Sequence, residues 1–452
     1  MRSAVLKPLA LGTLALLLGG CATFSSDGGM QDVSALTKER VGQPVERGAS
    51  NDAAVDALLR QPIDADSAVK IALMNNRGLQ ASFAELGVSE ADFVQAGRLR
   101  NPGFSFSRLR GGDDLEIDRS VMFDLAGLLT LPARSSIEKR RFEQAKLNAA
   151  ADAVRLAANT RRVYFTAVAA QQHVQFMRQV KESAEAAAEL ARRMQAVGNF
   201  SQLDSEREQA FYAETIAQLA RATQDAVVTR ERLTQAMGLE GPRIDYKLPE
   251  RLPELPKSLP EARDIEARAM QQRLDVQIAK RDIEATAHAL GLTRTTRFVN
   301  VLDAGYLNKN TSGAPRENGY EVSLEIPLFD WGTARTRKAE ALYMAAVNRT
   351  ADTAVRARSE VRVAYSAYHT AFDLAHHYRD EIVPLRKKIS DEMMLRYNGM
   401  LVSVFELLAD AREQAASVNA AIEAQRDYWI AENSLQYAIY GGATGAMNTK
   451  DN

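Results

Sequence analysis

Between residues 133 and 196 the chain contains neither glycine nor proline, and Ala, Arg, Glu and Gln dominate. A helix over this stretch would run roughly 90 to 100 Å at 1.5 Å per residue. No single rounded core can cover the apolar stripe of such a helix, so it requires helical neighbours along its length. The alanines permit close approach, while the charged and amide side chains cover the remaining faces. After Gly198-Asn199-Phe200-Ser201 a second helix is predicted from about Gln202 to Met237. The 452 residues are 46% hydrophobic and 25% charged, which excludes a disordered tail protein, a collagen-like repeat and a polytopic helical membrane protein. A formal net charge of −1 removes the electrostatic footprint of a nucleic-acid binder.

The pattern occurs twice. In the first half, a helix predicted over residues 66–98 is stopped by Asn101-Pro102-Gly103. Phe104, Phe106, Val121 and Phe123 then alternate with Ser105, Ser107, Ser120 and Asp124 around the turn Gly111-Gly112-Asp113-Asp114, which reads as two strands. Five prolines between 242 and 260 form a linker. The second half repeats the order: a helix over 261–292, strands over 298–306 and 320–328, a long helix over 332–397, a break at Asn398-Gly399 and a last helix to Tyr440. Val121, Phe123, Leu125 and Ala133-Arg134 superpose on Val322, Leu324, Ile326 and Ala334-Arg335 with an offset of 201, and Ser201, Leu203 and Asp204 on Ser403, Phe405 and Glu406 with an offset of 202. This is a tandem duplication, with repeats over 65–241 and 261–441.

The two hairpins decide the fold class. Helices alone would suit a soluble coiled-coil protein. Four strands cannot close a barrel, since single-chain bacterial outer-membrane barrels start at about eight strands, but three copies supply twelve. If the hairpins enter a bilayer, a closed trimeric barrel is the permitted solution, because backbone groups in lipid must all be paired. The polar loops 109–118 and 307–319 would then face outward. The expected fold is mainly α with a small β part: long antiparallel coiled-coil helices and two β-hairpins per chain, giving a trimeric 12-stranded β-barrel.

The N-terminus reads as a targeting segment. Arg2 and Lys7 precede an apolar run over 9–18 that is too short to span a bilayer core of ~30 Å comfortably, and small residues precede Cys21, the one cysteine. Leu18-Gly19-Gly20-Cys21 resembles the lipobox of bacterial lipoproteins, which implies removal of residues 1–20 and lipidation of Cys21. Ala22 follows, in place of the Asp that such lipoproteins often carry when retained at the inner membrane. Residues 21–64 read as an extended, lipid-anchored tether and 442–452 as a short polar tail.

The duplicated order, with Ile326-Pro327-Leu328-Phe329-Asp330-Trp331-Gly332 at the strand-to-helix junction, resembles the outer-membrane factor (TolC-like) family. Gly198-Asn199-Phe200-Ser201-Gln202-Leu203-Asp204 and Arg396-Tyr397-Asn398-Gly399 through Glu406-Leu407-Leu408 resemble that family's two helix-hairpin tips. The resemblance spans roughly residues 65–441. It implies a homotrimeric exit duct for efflux or secretion in the cell outer membrane, in contact with its lipid and extended into the periplasm by an α-helical tunnel. A periplasmic adaptor protein would couple the duct to an inner-membrane transporter. It also implies that Gly198, Ser201, Leu203, Asp204, Gly399, Ser403 and Glu406 contact the adaptor; the same residues read equally as helix stops and caps. A periplasmic gate of Asp204, Tyr397, Glu406 and Asp410 is implied in turn, with Tyr397 holding the closed state through Asp204 and Ala409 standing where a second acid is sometimes found.

Chemistry elsewhere is sparse. His369, Asp373 and His377 share a helical face, but on an exposed helix such residues are more often solvated, so no metal site is assigned. No phosphate loop or nucleophile elbow occurs, and no cofactor, catalytic residue or nucleic-acid partner is expected. The alternative is a lipid-anchored periplasmic coiled-coil protein with a structural or chaperone role. The duct reading predicts that the mature chain begins at a lipidated Cys21, observable by mass spectrometry. Cys21→Ser is expected to abolish the lipid yet leave membrane insertion, since one acyl anchor would not be the main attachment. Complete release of that variant from membranes would contradict the barrel.

Overall fold

The computed structural model describes residues 23–48, 52–260, 264–298 and 301–442. Cys21, the targeting segment 1–20 and nearly all of the tail 442–452 lie outside the described residues. The chain divides into two compact units.

The first unit comprises Ser82–Ala149 and Val276–Ala354, with the described residues up to Val33. Its centre is an antiparallel sheet of four strands in the order β1 (Gly103–Gly111), β2 (Asp114–Asp124), β3 (Leu302–Thr311) and β4 (Glu317–Leu324). The first hairpin closes on only Gly112-Asp113, with Gly112 at φ 63°. The expected outward loops 109–118 and 307–319 are therefore mostly strand, and the loops shrink to 112–113 and 312–316. β3 begins and β4 ends closer to their hairpin turn than expected, because Pro327 cannot donate to a ladder and Leu328 N–H bonds Ile326 O instead.

Asp124 ends β2 and starts the long helix: its Oδ1 accepts the Gly127 N–H at 2.5 Å. The helix therefore runs Leu125–Ala196, about 108 Å, with Pro132 inside it, beginning earlier than residue 133. At the corresponding junction of the second half, Gly332 adopts φ 71° with the Arg297 carbonyl 2.8 Å from where a Cβ would lie. Asp330 Oδ1 accepts the Gly332 N–H at 2.8 Å and Trp331 meets Phe298 edge-on at 6.4 Å. The motif 326–332 is thus a tight turn into helix Thr333–His377 that only glycine can complete.

The second unit holds Ser34–Ala81, Ala150–Asp275 and the chain from Val355 onward. One apolar cluster gathers Val55, Ile63, Ile71, Tyr164, Val168, Leu233 and Met237. Residues 23–64 are not the expected extended tether: they form helices Met30–Val41 and Asp52–Leu59, and Val55 and Ile63 are buried. The proline-rich linker is packed as well. Tyr246, Leu248 and Leu252 join the same cluster, and Leu252 N–H bonds Gln172 Oε1 at 3.0 Å.

Three expected helices are interrupted. Ala65–Asn75 and Arg77–Ala96 part at Asn76, whose Oδ1 caps the next helix through Leu79 N–H and whose Nδ2 donates to Ala236 O at 3.0 Å. Ile265–Gln272 and Leu274–Thr295 part at Arg273. Its guanidinium donates to Ala438 O at 3.2 Å, and Ala438 is the residue 202 positions beyond Ala236. The duplication has kept the break and replaced an amide by a buried cation. The third interruption is a π-turn over Tyr378–Ile382, with Val383 N–H bonded to Tyr378 O: Pro384 has no N–H to return to residue 380, and the helix widens before Val383–Asn398.

Arg273 is 1% exposed and lies 2.7 Å from both Asp275 and Glu360. Arg273→Met would leave two carboxylates without their cation at a cost of about 3 to 5 kcal/mol. Arg273→Lys is expected to recover only part of this, since a point charge cannot reproduce the planar fork. Chemical denaturation of the detergent-solubilised protein measures both, and equal midpoints for Arg273→Met and the parent would contradict the assignment.

Candidate functional site

The two hairpin ends are built alike. Helix Leu125–Ala196 closes at Gly198, with φ 77°: its N–H bonds Gln195 O at 3.0 Å and Asn199 N–H bonds Met194 O at 2.9 Å. In the second repeat the same pair of bonds runs from Met400 to Tyr397 O at 2.9 Å and from Leu401 to Arg396 O at 2.8 Å. Met400, at φ 57°, therefore takes the place of Gly198, and Gly399, at φ −80°, does not. Gly399, grouped with Gly198 at the expected tips, thus stands one residue before the left-handed position, which a non-glycine residue fills in the second repeat.

Ser201 and Ser403 open the returning helices Gln202–Met237 and Val404–Tyr440. Ser201 Oγ accepts Asp204 N–H at 3.1 Å and donates to Asp204 Oδ2 at 2.7 Å. Ser403 and Glu406 form a complete capping box, with Ser403 N–H on Glu406 Oε2 at 2.8 Å and Glu406 N–H on Ser403 Oγ at 3.2 Å. Leu203, Met400 and Leu401 are exposed at these ends. Asp204 also pairs with Arg207 at 3.3 Å; among the described residues no hydrogen bond joins it to Tyr397 within one chain.

Asp410 does not accompany Glu406 to the surface. It is 9% exposed: it lies on nearly the same helical face but one turn further from the exposed end, where other side chains cover it. Its counterpart 202 positions earlier, Glu208, is 1% exposed and accepts Arg412 Nη2 at 2.6 Å, while that guanidinium lies 4.2 Å over Phe211. This ion pair left no signal in the sequence, since the offset relates Glu208 to Asp410 and Arg412 to Ala210. Two basic residues on the helices that lead to the tips are also engaged: Arg193 hydrogen-bonds Glu189 and holds its carboxyl below the usual range, and Arg386 pairs with Glu413. His369 lies against Tyr365 and His377 pairs with Glu381 at 3.1 Å; among the described residues no three His, Cys, Asp or Glu side chains converge on a metal position.

The sheet carries a second feature of interest. Paired residues share a face, so Ser107, Asp118, Lys309 and Glu317 form one row across the four strands, with Glu116, Asp114, Asp124, Asp303 and Glu321 on the same side. Lys309 pairs with Glu116 and is the one base of that face within the strands. The opposite face is apolar toward the helical ends. Phe123, Ala304 and Val322 form one row, and Phe104, Val121, Tyr306 and Tyr320 the next, with Phe104, Phe123, Tyr306, Tyr320 and Val322 exposed.

Residues 68–239 match the family model "Outer membrane efflux protein". A membrane protein from Pseudomonas aeruginosa superposes with a TM-score of 0.73 at 18% identity, covering 83% of this chain and 93% of its own. The chain has the fold of a TolC-like outer-membrane channel. The CmeC outer membrane channel of Campylobacter jejuni superposes at 0.71 and 18% identity, over 84% of this chain and 86% of that one. The open state of the MtrE outer membrane channel of Neisseria gonorrhoeae superposes at 0.68 and 17%, over 84% and 89%. No curated protein matches the chain.

In a chain of this fold the left-handed Met400 is a strained residue at an exposed tip. Met400→Gly is expected to stabilise the second hairpin by about 1 kcal/mol, whereas Gly198→Met should cost about 1 to 2 kcal/mol. Hydrogen exchange at residues 395–405 and 194–202 reads the two effects separately; faster exchange in Met400→Gly would contradict the strain.

Proposed function

We propose that three copies of this chain form a passive exit duct through the outer membrane and periplasm, the outer-membrane channel of a tripartite efflux or secretion system. The observation that carries this reading is the sheet: four strands in an open order, one face apolar and exposed, the other lined by acids. An exposed apolar face on a soluble cap would be an aggregation surface, which disfavours a lipid-anchored periplasmic coiled-coil protein. Lipid requires every backbone group to be paired, and three copies joined edge to edge supply twelve strands and remove both edges. Helix Val383–Asn398 supports self-association further: it buries no residue within its own chain and exposes Leu385, Met394 and Leu395.

The hairpin tips are the proposed contact with a periplasmic adaptor, and through it with an inner-membrane transporter. Leu203 beside Ser201 and Asp204, and Met400 and Leu401 between Gly399 and Ser403, offer small apolar contacts on rigidly capped helix ends. With three chains around one axis, Asp204 and Glu406 recur three times, and rings of carboxylates favour cations in a pore. Asp204 keeps acceptor capacity beyond Ser201 and Arg207, so Tyr397 of an adjacent hairpin can donate to it and hold the tunnel closed. Asp410, one turn further along the same helix and 9% exposed within one chain, is the gate residue set deepest from the tip.

Planar-bilayer conductance tests the duct and its gate. The protein is expected to form cation-preferring pores; Tyr397→Phe with Asp204→Ala should raise single-channel conductance, since three charge-assisted bonds of about 1.5 to 3 kcal/mol each are lost. Glu406→Gln should weaken cation preference while keeping the capping box, because glutamine caps equally at that position. Absence of any pore would contradict the duct, and unchanged conductance in the double variant would remove the latch alone.

A further inference from the structure

The charges of the sheet are sorted by face. All seven acids of the strands lie on the polar face, and the three arginines, Arg108, Arg110 and Arg119, lie on the apolar one. Their height is equally specific. Along the apolar face the row of Phe104, Val121, Tyr306 and Tyr320 is followed, toward the Gly112 turn, by a row holding Arg119, then one holding Arg108, then one holding Arg110. That turn is the end of the sheet away from the helices, which join β1 and β2 at Gly103 and Asp124.

All three arginines are exposed, and among the described residues none has an ion-pair partner. An arginine facing lipid costs about 2 to 4 kcal/mol at the bilayer midplane and about 0 to 1 near the interface, so these rows belong at headgroup level, beyond the tyrosine row. There they would form a cationic patch with no acid of the same face to neutralise it. Arg108 and Arg110 are two residues apart on one strand, about 7 Å, and Arg119 is the diagonal neighbour of Arg108 at about 7 to 8 Å. Guanidinium forks at that spacing can each take a phosphate bidentately.

We propose that Arg108, Arg110 and Arg119 form a binding site for the phosphate groups of an outer-leaflet glycolipid, the bisphosphorylated disaccharide headgroup of lipid A. The site rests on the membrane-barrel reading above. It differs from the acidic polar face and the tips in serving anchorage and vertical placement in the bilayer, with no part in conduction. Each subunit presents one such patch, so a ring of bound glycolipid would surround the barrel at its outer rim.

The test uses the full-length protein in detergent, with lipid A as the probe and binding read by native mass spectrometry. The parent is expected to retain lipid A, and Arg108→Gln with Arg110→Gln and Arg119→Gln to bind it about tenfold or more weakly, from loss of charge-assisted bonds. Lipid A stripped of both phosphates should bind the parent as weakly as the intact lipid binds the triple variant. Replacement of the three by lysine should restore part of the binding. Equal binding of both lipids, or no loss in the glutamine variant, would overturn the proposal, and displacement by millimolar inorganic phosphate would make it a free-anion site and overturn the lipid assignment. Planar-bilayer conductance of the same samples separates the two readings: pores in both proteins leave the barrel standing whatever the lipid result, whereas absence of pores removes the barrel and this site together.

Discussion

A backbone N–H or C=O left unpaired in hydrocarbon costs several kcal/mol, and this chain offers a four-stranded sheet whose first and last strands, among the described residues, each lack an outer neighbour. Much else in the molecule answers to that constraint. On the proposed duct reading, the apolar face meets lipid, the acidic face meets water, and closure with further copies satisfies both while pairing the edges. Helices then follow the strands without a free choice of direction, because Asp124 caps one directly out of β2 and Gly332 turns the chain into the other against the Arg297 carbonyl.

The duplication supplies pseudo-symmetry, and its departures show where the halves have acquired different tasks. Asn76 and Arg273 stand at equivalent helix breaks and reach equivalent carbonyls, Ala236 and Ala438, but the second is a buried cation held by Asp275 and Glu360. Gly198 and Met400 occupy equivalent tip positions, one relaxed and one strained. Only the second repeat carries a π-turn, where Pro384 interrupts the hydrogen-bond ladder. Each difference concerns backbone satisfaction rather than the apolar pattern, so the two halves share an architecture while the second is more locally strained.

Much of this was legible in the sequence for definite reasons. Long runs without glycine or proline fix helices, and Gln202–Met237 begins and ends where Ser201 and Gly238 stand as cap residues. The period-2 alternation over 104–124 placed the first hairpin, and the offsets of 201 and 202 exposed the repeat. The breaks at Asn76 and Arg273 were not legible, since they depend on carbonyls about 160 residues distant in the chain. The sorting of charge by sheet face was not legible, since it depends on the register in which β2 of the first half pairs with β3 of the second, from Glu116–Thr311 to Asp124–Asp303. The burial of Asp410 and its separation from Glu406 required the packing of neighbouring helices.

The most direct test of this account is the stoichiometry of the detergent-extracted protein, determined by light scattering with correction for bound detergent. Three copies per particle, with strand-to-strand pairing that resists mild denaturant, is the result the open four-stranded sheet predicts. A monodisperse monomer that keeps its secondary structure would leave both sheet edges unpaired and contradict the barrel, and with it the duct.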